Sequence, residues 1–158
     1  MKKKILWIED GAFFELRNLV GPVVASGKYD LDIALDVSDG LRKIMQNVYE
    51  AIIFDIRLPP GNEIEWVKLY MLYGNSKIEA RLGKHLLYTL LQREEANIKL
   101  EKEIPAWLNH KKFGILTVES RRELEEDLKN LGISIYIQKQ SSTPISALLD
   151  IIEKILSQ

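Results

Sequence analysis

The sequence is organised around one apolar stretch that ends in a carboxylate and a chain-breaking turn. Ala51 to Phe54 is a continuous apolar run, Asp55 follows it directly, and Pro59-Pro60-Gly61 comes shortly afterwards. A short apolar run bounded by turn residues is typical of a strand buried on both faces. Such strands belong to parallel sheets covered by helices, whose ligands bind at the carboxyl ends of the strands. Asp55 is therefore the first candidate for an active carboxylate.

Three other predicted strands also end in polar side chains. They are Lys4–Ile8, followed by Glu9 and Asp10; Lys112–Leu116, followed by Thr117; and Gly132–Ile137, followed by Gln138 and Lys139. Carboxylates are the ligands that Mg2+ prefers, and a lysine with a hydroxyl suits phosphoryl oxygens. Because parallel strands end at one edge of a sheet, these residues predict a magnesium and phosphoryl site.

The rest of the chain alternates helical and strand patterns. The predicted elements are a first helix from about Ala12 to Ala25 that Gly21-Pro22 kinks or divides, a strand at Leu31–Leu35, a helix opening at Ser38, a helix at Arg121–Leu131 stopped by Gly132, and a last helix beginning at Thr143-Pro144. A β-α unit repeated five times predicts an α/β fold. We expect a doubly wound five-stranded parallel sheet with strand order 2-1-3-4-5 and right-handed crossovers.

At its strand ends the sequence resembles the response-regulator receiver domains of two-component signalling. Glu9-Asp10 matches the acidic pair of that family, Asp55 its phosphoacceptor in Asp-x-x-Leu-Pro, Thr117 its switch hydroxyl, Tyr136 its switch aromatic and Lys139 its lysine. The resemblance implies a flavodoxin-like fold and an aspartyl phosphate formed at Asp55. Asp10 and Asp55 are predicted to bind Mg2+ directly and Glu9 directly or through water, and the resemblance adds the backbone carbonyl of Arg57 as a ligand.

The same resemblance implies how such a protein works in a cell. A sensor histidine kinase or a phosphotransfer protein donates the phosphoryl group, and the receiver itself catalyses the transfer and the later hydrolysis. It then signals by contact with a downstream protein partner or as a homodimer, in the cytoplasm. The balanced charge and the short apolar runs predict no direct binding to nucleic acid or membrane.

The middle of the chain departs from the family pattern. The interval from Asp55 to Thr117 is about twice the usual one, so we predict an insertion at about 62–112, which includes the third helix, within a single receiver-like domain spanning residues 1–158.

Three helical or charged segments are predicted inside this insertion. Glu63–Leu72 is predicted to be a short helix, Ser76-Lys77-Ile78-Glu79 is a capping-box sequence that opens a second helix, and Gln92–Glu103 is predicted to continue that helix in an exposed form. Gly83 would let the second helix approach a strand closely. By resemblance, it takes the place of a glycine that the family usually has at the position of Glu63.

The first helix of the insertion is rich in aromatic residues. Trp66, Tyr70 and Tyr73 belong to a helix that begins only a few residues after Asp55. Exposed aromatic surface often marks a contact site. We therefore expect a partner-specific surface here. The alternative is that these aromatics only pack the helix onto the body of the domain.

Several candidate site residues also have simpler structural interpretations. Glu9 and Asp10 could cap the first helix, and Lys139 could be only a counter-ion for crowded acids. Thr117 could be a strand-end residue or the N-cap of the following helix. Tyr136 could belong to the core.

Two other functions compete with a phosphorylated receiver. A degenerate receiver would bind partners without phosphorylation. Two departures favour it: Val118 follows Thr117 where a small residue is common, and Gln140 stands where proline usually follows the lysine. A phosphatase of the haloacid dehalogenase type also uses an aspartyl nucleophile, but it needs a second acid two residues later, where this chain has Arg57.

Composition excludes several other classes of protein. The 22 basic and 23 acidic residues leave no basic excess for nucleic acid, and the absence of cysteine excludes disulfides and thiolate metal sites. The apolar run at Ile5–Ile8 is too short for a signal peptide or a membrane span.

His85 and His110 are isolated and are predicted to be structural. The chain also has no Gly-Lys-Ser or Gly-Lys-Thr phosphate loop.

Overall fold

The computed structural model describes all residues from 1 to 158. Its strands are β1 (Lys3–Ile8), β2 (Tyr29–Ala34), β3 (Ala51–Phe54), β4 (Phe113–Thr117) and β5 (Tyr136–Gln138). Its α-helices are α1 (Val20–Ala25), α2 (Val37–Gln46), α3 (Ile64–Leu72), α4 (Lys77–Ala80), α5 (Leu82–Leu90), α6 (Arg121–Leu131) and α7 (Ala147–Leu156). Two single 3-10 turns lie at Arg17–Leu19 and His110–Lys112. No helix is both long and apolar enough to cross a membrane.

The five strands form one sheet in the order β2-β1-β3-β4-β5, and every neighbouring pair is parallel. The predicted fold class and strand order are confirmed. Register brings Ile8 level with Phe54 and brings Thr117 level with Gln138, so the polar residues after these strands meet at one edge. That edge carries the candidate site.

The sheet is covered by helices on both faces, with one apolar cluster on each side. Side chains alternate along a strand, so Leu6 and Ile8 face one cluster while Ile5 and Trp7 face the other. All four residues of β3 are buried, as expected for the central strand of a doubly wound sheet.

The first helix is much shorter than the sequence predicts. Residues 11–16 form turns, and α1 begins only at Val20, so the expectation of a helix from Ala12 is wrong. Pro22 explains the position of the helix start. A proline without an N–H is tolerated in the first turn of a helix, where amides have no intrahelical partner, but not in its interior.

The last two elements also begin later than predicted. Gly132 ends α6 with a φ of 72°, and pairing with β4 starts only where the Ile115 amide donates to the carbonyl of Ile135. Thr143 lies in a turn, because its hydroxyl accepts from the Gln140 amide and α7 starts at Ala147.

The second predicted helix of the insertion is in fact two helices. Ser76 accepts from the Glu79 amide and opens α4, as the capping sequence predicts, but α4 ends after one turn at Arg81. Arg81 has φ 49° and ψ 49°, the left-handed conformation, and it redirects the chain into α5. The Gly83 amide then donates to the carbonyl of Ile56 at 2.9 Å, which docks the start of α5 beside Asp55.

The charged segment after α5 is not a helical continuation. Gln92 takes a φ of 54° and ends the helix, and the following residues form turns. The Thr89 hydroxyl donates to the carbonyl of Ile98 at 2.7 Å, which folds this segment back over α5. The expectation of a helix across Gln92–Glu103 is therefore wrong.

The aromatic residues of α3 do not form the expected exposed surface. Trp66 is 1% exposed and belongs to the larger apolar cluster, and Tyr70 is half-buried against it. Tyr73 is exposed, together with Met71 and Leu72 at the end of the helix. Trp66 thus packs α3 onto the domain, which was the alternative interpretation.

Candidate metal and phosphoacceptor site

Three carboxylates meet where β1 and β3 end. Glu9 and Asp10 follow β1, Asp55 follows β3, and one oxygen from each lies within 4.8 Å of the others. Glu9 and Asp55 are buried, while Asp10 is half-buried at the surface. Three oxygen ligands at this spacing can hold one hard divalent cation.

Asp55 is held from two sides by backbone groups. Its amide donates to the carbonyl of Ile8 at 3.1 Å, and its Oδ1 accepts from the Ile56 amide at 2.7 Å. A Cβ added at Gly83 would lie 1.9 Å from the Asp55 carbonyl oxygen. The prediction that Gly83 allows close approach to a strand is confirmed, and the position of Asp55 depends on this contact.

Lys139 reaches into the cluster from the segment after β5. Its Nζ lies 2.5 Å from Oε1 of Glu9 and 3.4 Å from Oδ2 of Asp55. Burial alone would lower the pKa of Lys139, but the negative charges of Asp55 and Glu9 outweigh it and raise that pKa. Lys139 therefore stays a cation between two carboxylates. Its amide also donates to the carbonyl of Thr117 at 2.7 Å, which ties it to β4.

Glu9 is the carboxylate of this cluster with the largest shift in pKa. Burial, and then the neighbouring charge of Asp55, raise the pKa of Glu9 to about 8, although Lys139 and the Gly11 amide act in the opposite direction. The ionised form of Glu9 is therefore costly in this buried position, and the Lys139 ammonium is the neighbouring charge that offsets the cost.

Asp10 has a cationic partner that the sequence did not reveal. Lys77 Nζ, at the first position of α4, lies 2.6 Å from Oδ2 of Asp10. Partial burial opposes ionisation of Asp10, but the hydrogen bond and charge of Lys77 outweigh it and lower the pKa of Asp10. The acidic site is thus contacted by two lysines, Lys139 and Lys77.

Thr117 lies at the end of β4 and is fully buried. Its Oγ1 accepts from the Glu119 amide at 3.5 Å. The N-cap of α6 is Ser120, not Thr117, and Ser120 forms a capping box with Glu123. The alternative interpretation of Thr117 as a helix cap is therefore wrong.

Glu119 is a buried carboxylate held by arginines. Arg81 Nε donates to Oε1 of Glu119 at 2.9 Å, and Arg57 Nε donates to Oε2 at 3.3 Å. Tyr136 is half-buried, and its hydroxyl donates to the backbone carbonyl of Glu119. The guanidinium of Arg121 lies over the Tyr136 ring, 5.0 Å from its centroid. Tyr136 therefore connects β5 to the segment after Thr117.

The structure brings together most of the residues predicted from the sequence. Glu9, Asp10, Asp55 and Lys139 form one cluster, and Thr117 is tied to Lys139 through the backbone. The side chain of Arg57 turns to Glu119, while a role for its carbonyl as a metal ligand stays a prediction.

Sequence reasoning missed Lys77, Arg81 and Glu119. Lys77 is 67 residues from its partner Asp10, so no local pattern connects them. The left-handed conformation of Arg81 likewise has no sequence signal, since glycine is the usual residue for it.

The two histidines lie outside the carboxylate cluster. His85 is buried in α5, and its Nδ1 is 3.1 Å from Nδ2 of Asn97. Burial, and then the charges of Lys84 and Arg81, lower the pKa of His85 to about 4. His85 is therefore neutral at physiological pH.

Comparison with known proteins supports the fold. No protein-family model matches the sequence, and no curated protein matches it significantly. Among solved structures, a CheY-like receiver domain from Methanospirillum hungatei has a TM-score of 0.61 at 19% identity, covering 99% of this chain and 95% of that one.

Two further solved structures have the same architecture. The response regulator TrrA of Thermotoga maritima, in complex with Mg2+-BeF, has a TM-score of 0.56 at 18% identity over 99% of this chain and 100% of that one. The Vibrio cholerae chemotaxis protein CheY4 has a TM-score of 0.57 at 16% identity over 99% and 100% of the two chains. The chain has the fold of CheY-like receiver domains.

Proposed function

We propose that this chain is a signalling receiver that accepts a phosphoryl group on Asp55. The observation that carries the proposal is the position of Lys139, whose ammonium lies between Glu9 and Asp55. A buried carboxylate nucleophile beside a fixed cation and two further acids is what phosphoryl transfer with a metal requires. The arrangement lies at the edge of the sheet where this fold binds its ligands.

The three carboxylates fit the Mg2+ that such a reaction uses. Their oxygens are hard ligands, they lie within 4.8 Å of one another, and Asp10 is open enough for the ion to keep several waters. Glu9, Asp10 and Asp55 would hold the ion, with the Arg57 carbonyl as a fourth ligand. When bound, Mg2+ supplies positive charge that stabilises the phosphoryl oxygens.

Asp55 acts as the nucleophile in this proposal. Its Oδ1 is engaged by the Ile56 amide, so Oδ2, which faces Lys139, is the oxygen free to attack. A new bond forms between Oδ2 and phosphorus while the bond from phosphorus to the donor breaks, and the donor leaves with that electron pair. The Lys139 ammonium stabilises the phosphoryl oxygens, and Thr117 supplies a hydroxyl donor at the end of β4.

The state of Asp55 would be transmitted through the segment after Thr117. The Thr117 hydroxyl is engaged only weakly, at 3.5 Å from the Glu119 amide, so it is available to turn towards a phosphoryl oxygen. The neighbouring Glu119 is joined to Tyr136 on β5 and to Arg81 before α5. A movement at Thr117 therefore reaches two surface elements.

The partners follow from this chemistry. A phosphohistidine on a sensor kinase or a phosphotransfer protein would be the donor, as part of a cytoplasmic phosphorelay. The output would be contact with a downstream protein or with a second copy of this chain. We treat residues 1–158 as one receiver-like domain whose insertion at about 62–112 includes the third helix.

The proposal is tested with a small phosphodonor. The protein is incubated with acetyl phosphate and MgCl2, and its intact mass is measured for the natural chain and for Asp55→Asn. We expect one added phosphoryl group that requires both Mg2+ and Asp55. A modification that persists in Asp55→Asn would show that another residue is phosphorylated. No modification in either protein would favour the degenerate receiver.

A further inference from the structure

Lys77 contacts the acidic site although it belongs to the segment after β3. Its Nζ donates to Oδ2 of Asp10 at 2.6 Å, and this contact joins α4 to the end of β1. Lys77 carries 44% exposure and Asp10 carries 27%, so the pair lies at the mouth of the site and not in its interior. Lys139 is the second lysine of the cluster, and it is only 10% exposed.

The backbone that presents Lys77 is fixed at both ends of α4. Ser76 caps the helix by accepting from the Glu79 amide at 3.3 Å. Ala80 is buried, and Arg81 is tied to Glu119 through two donor contacts from its Nε. The backbone of Lys77 is therefore held by contacts at both ends of α4, while its side chain is partly exposed to solvent.

The contact conflicts with a metal on the same carboxylate. Mg2+ binds its oxygen ligands at about 2.0–2.1 Å and requires near-octahedral geometry. An ammonium that donates to Asp10 at 2.6 Å would occupy a lone pair and place a positive charge beside the ion. Because the Lys77 side chain is 44% exposed whereas that of Lys139 is 10% exposed, Lys77 is the cation that can move into solvent.

We propose that Lys77 is a tethered cation that occupies Asp10 until Mg2+ displaces it, so that the segment after β3 sets the metal affinity of the site. Metal binding then releases Lys77 from Asp10. The ion pair that holds α4 over the acidic edge is broken at the same time. This inference rests on the proposed function, because it assumes that Asp10 is a metal ligand.

The test compares Mg2+ affinity by isothermal titration calorimetry. The variants are Lys77→Met, which removes the competing charge, and Lys68→Met, a matched control. Lys68 is exposed on α3 and forms no ion pair. Lys68→Met therefore changes the net charge by the same amount as Lys77→Met without removing an ion pair. We expect Lys77→Met to bind Mg2+ about 2- to 5-fold more tightly than the natural chain, the range of a partly exposed ion pair.

Lys68→Met should bind Mg2+ as the natural chain does, and Lys77→Arg should stay close to it because the charge is kept. Equal or weaker binding by Lys77→Met would overturn the inference. So would an equal gain in Lys68→Met, because that would reflect net charge alone. Circular dichroism and thermal melting of each variant establish that the fold is intact.

A second measurement follows Lys77 itself. Labelling of amines with acetic anhydride, read by peptide mass spectrometry, should show faster modification of Lys77 when MgCl2 is added. In Asp10→Asn the fast rate should be present without Mg2+. No effect of Mg2+ on the natural chain would contradict displacement.

Failure of this inference is distinguishable from failure of the proposed function. If Mg2+ binding needs Asp10 and Asp55 but Lys77→Met changes nothing, the receiver proposal stands and the tethered cation is rejected. If neither the natural chain nor Lys77→Met binds Mg2+, both are rejected.

Discussion

Arg81 and Glu119 form an ion pair that joins the start of α5 to the segment after Thr117. Arg81 Nε donates to Oε1 of Glu119 at 2.9 Å and to Oε2 at 3.2 Å, and Nη2 approaches Oε1 at 2.7 Å. The Glu119 side chain is 2% exposed, so its carboxylate is paired with arginines and not with solvent. Arg81 also has the left-handed backbone conformation, which a non-glycine residue adopts at a cost.

Removal of Arg81 should therefore destabilise the protein strongly. In Arg81→Met, Glu119 keeps only the Arg57 contact at 3.3 Å, and a buried carboxylate with an incomplete partner costs about 2–4 kcal/mol in the free energy of unfolding. Urea denaturation measures this loss. Arg42→Met removes an exposed ion pair with Asp39 and should cost less than about 1 kcal/mol. Similar losses in the two variants would show that Glu119 does not depend on Arg81.

Gly83→Ala should disturb both the fold and the position of Asp55. The added Cβ would lie 1.9 Å from the Asp55 carbonyl oxygen and 2.8 Å from the Ile56 Cα, and backbone atoms cannot move aside cheaply. We expect a loss of at least about 3 kcal/mol, measured by urea denaturation. Gly21→Ala is the control, because nothing lies within 4 Å of its added Cβ. It should be neutral or gain about 0.5–1 kcal/mol. A Gly83→Ala variant of natural stability would contradict the contact.

His85 should make stability fall in mild acid. Its pKa is about 4 in the fold against 6.5 ordinarily, because burial disfavours the charged ring. The unfolded chain therefore binds the proton first, and stability decreases as the pH falls from 6.5 towards 4. Between pH 7 and pH 5 this group should account for about 1–2 kcal/mol of lost stability.

The variant His85→Gln tests whether His85 causes this acid sensitivity. The glutamine amide can still hydrogen-bond to Asn97 but does not titrate. Unfolding free energies are compared at pH 7 and pH 5 for both proteins. The variant should lose less stability over this interval than the natural chain. An equal loss in both would assign the acid sensitivity to other groups.

Val118 should slow access of a phosphodonor to Asp55. It follows Thr117, carries a branched side chain and is 44% exposed, so it occupies surface next to the Thr117 hydroxyl. In Val118→Ala, both phosphorylation by acetyl phosphate and loss of the phosphoryl group should become several-fold faster. Time courses of intact mass measure both rates. Unchanged rates would show that this side chain does not narrow the site.

The sheet and most of the acidic edge were predictable because their signals are local. The apolar run of β3 ending in Asp55 and the similar run of β1 ending in Glu9 each predict a buried strand. The rule that parallel strands end at one edge then brings their acids together. No long-range information was needed for this step.

The start of α1 was also a local question, but the sequence contained opposing signals. The apolar spacing from Phe13 favours a longer helix, whereas Pro22 requires a place in the first turn. The proline decides the outcome, since α1 begins at Val20.

The contacts of the segment between β3 and β4 were not predictable from local patterns. Lys77 meets Asp10, and Arg81 meets Glu119, only because a left-handed residue turns α4 into α5. Trp66 was misjudged for a different reason. Apolar residues surround α3 on nearly all sides, so helical spacing does not determine which face is buried.

We predict that Asp55 becomes an aspartyl phosphate. Borohydride reduces such an acyl phosphate to homoserine, and peptide mass spectrometry then locates the altered residue. After treatment with acetyl phosphate and MgCl2, we expect homoserine at position 55, and none when Mg2+ is removed by a chelator or when Asp55 is replaced by Asn. Homoserine at another position, or none in the natural chain despite an intact fold, would rule out Asp55 as the phosphoacceptor.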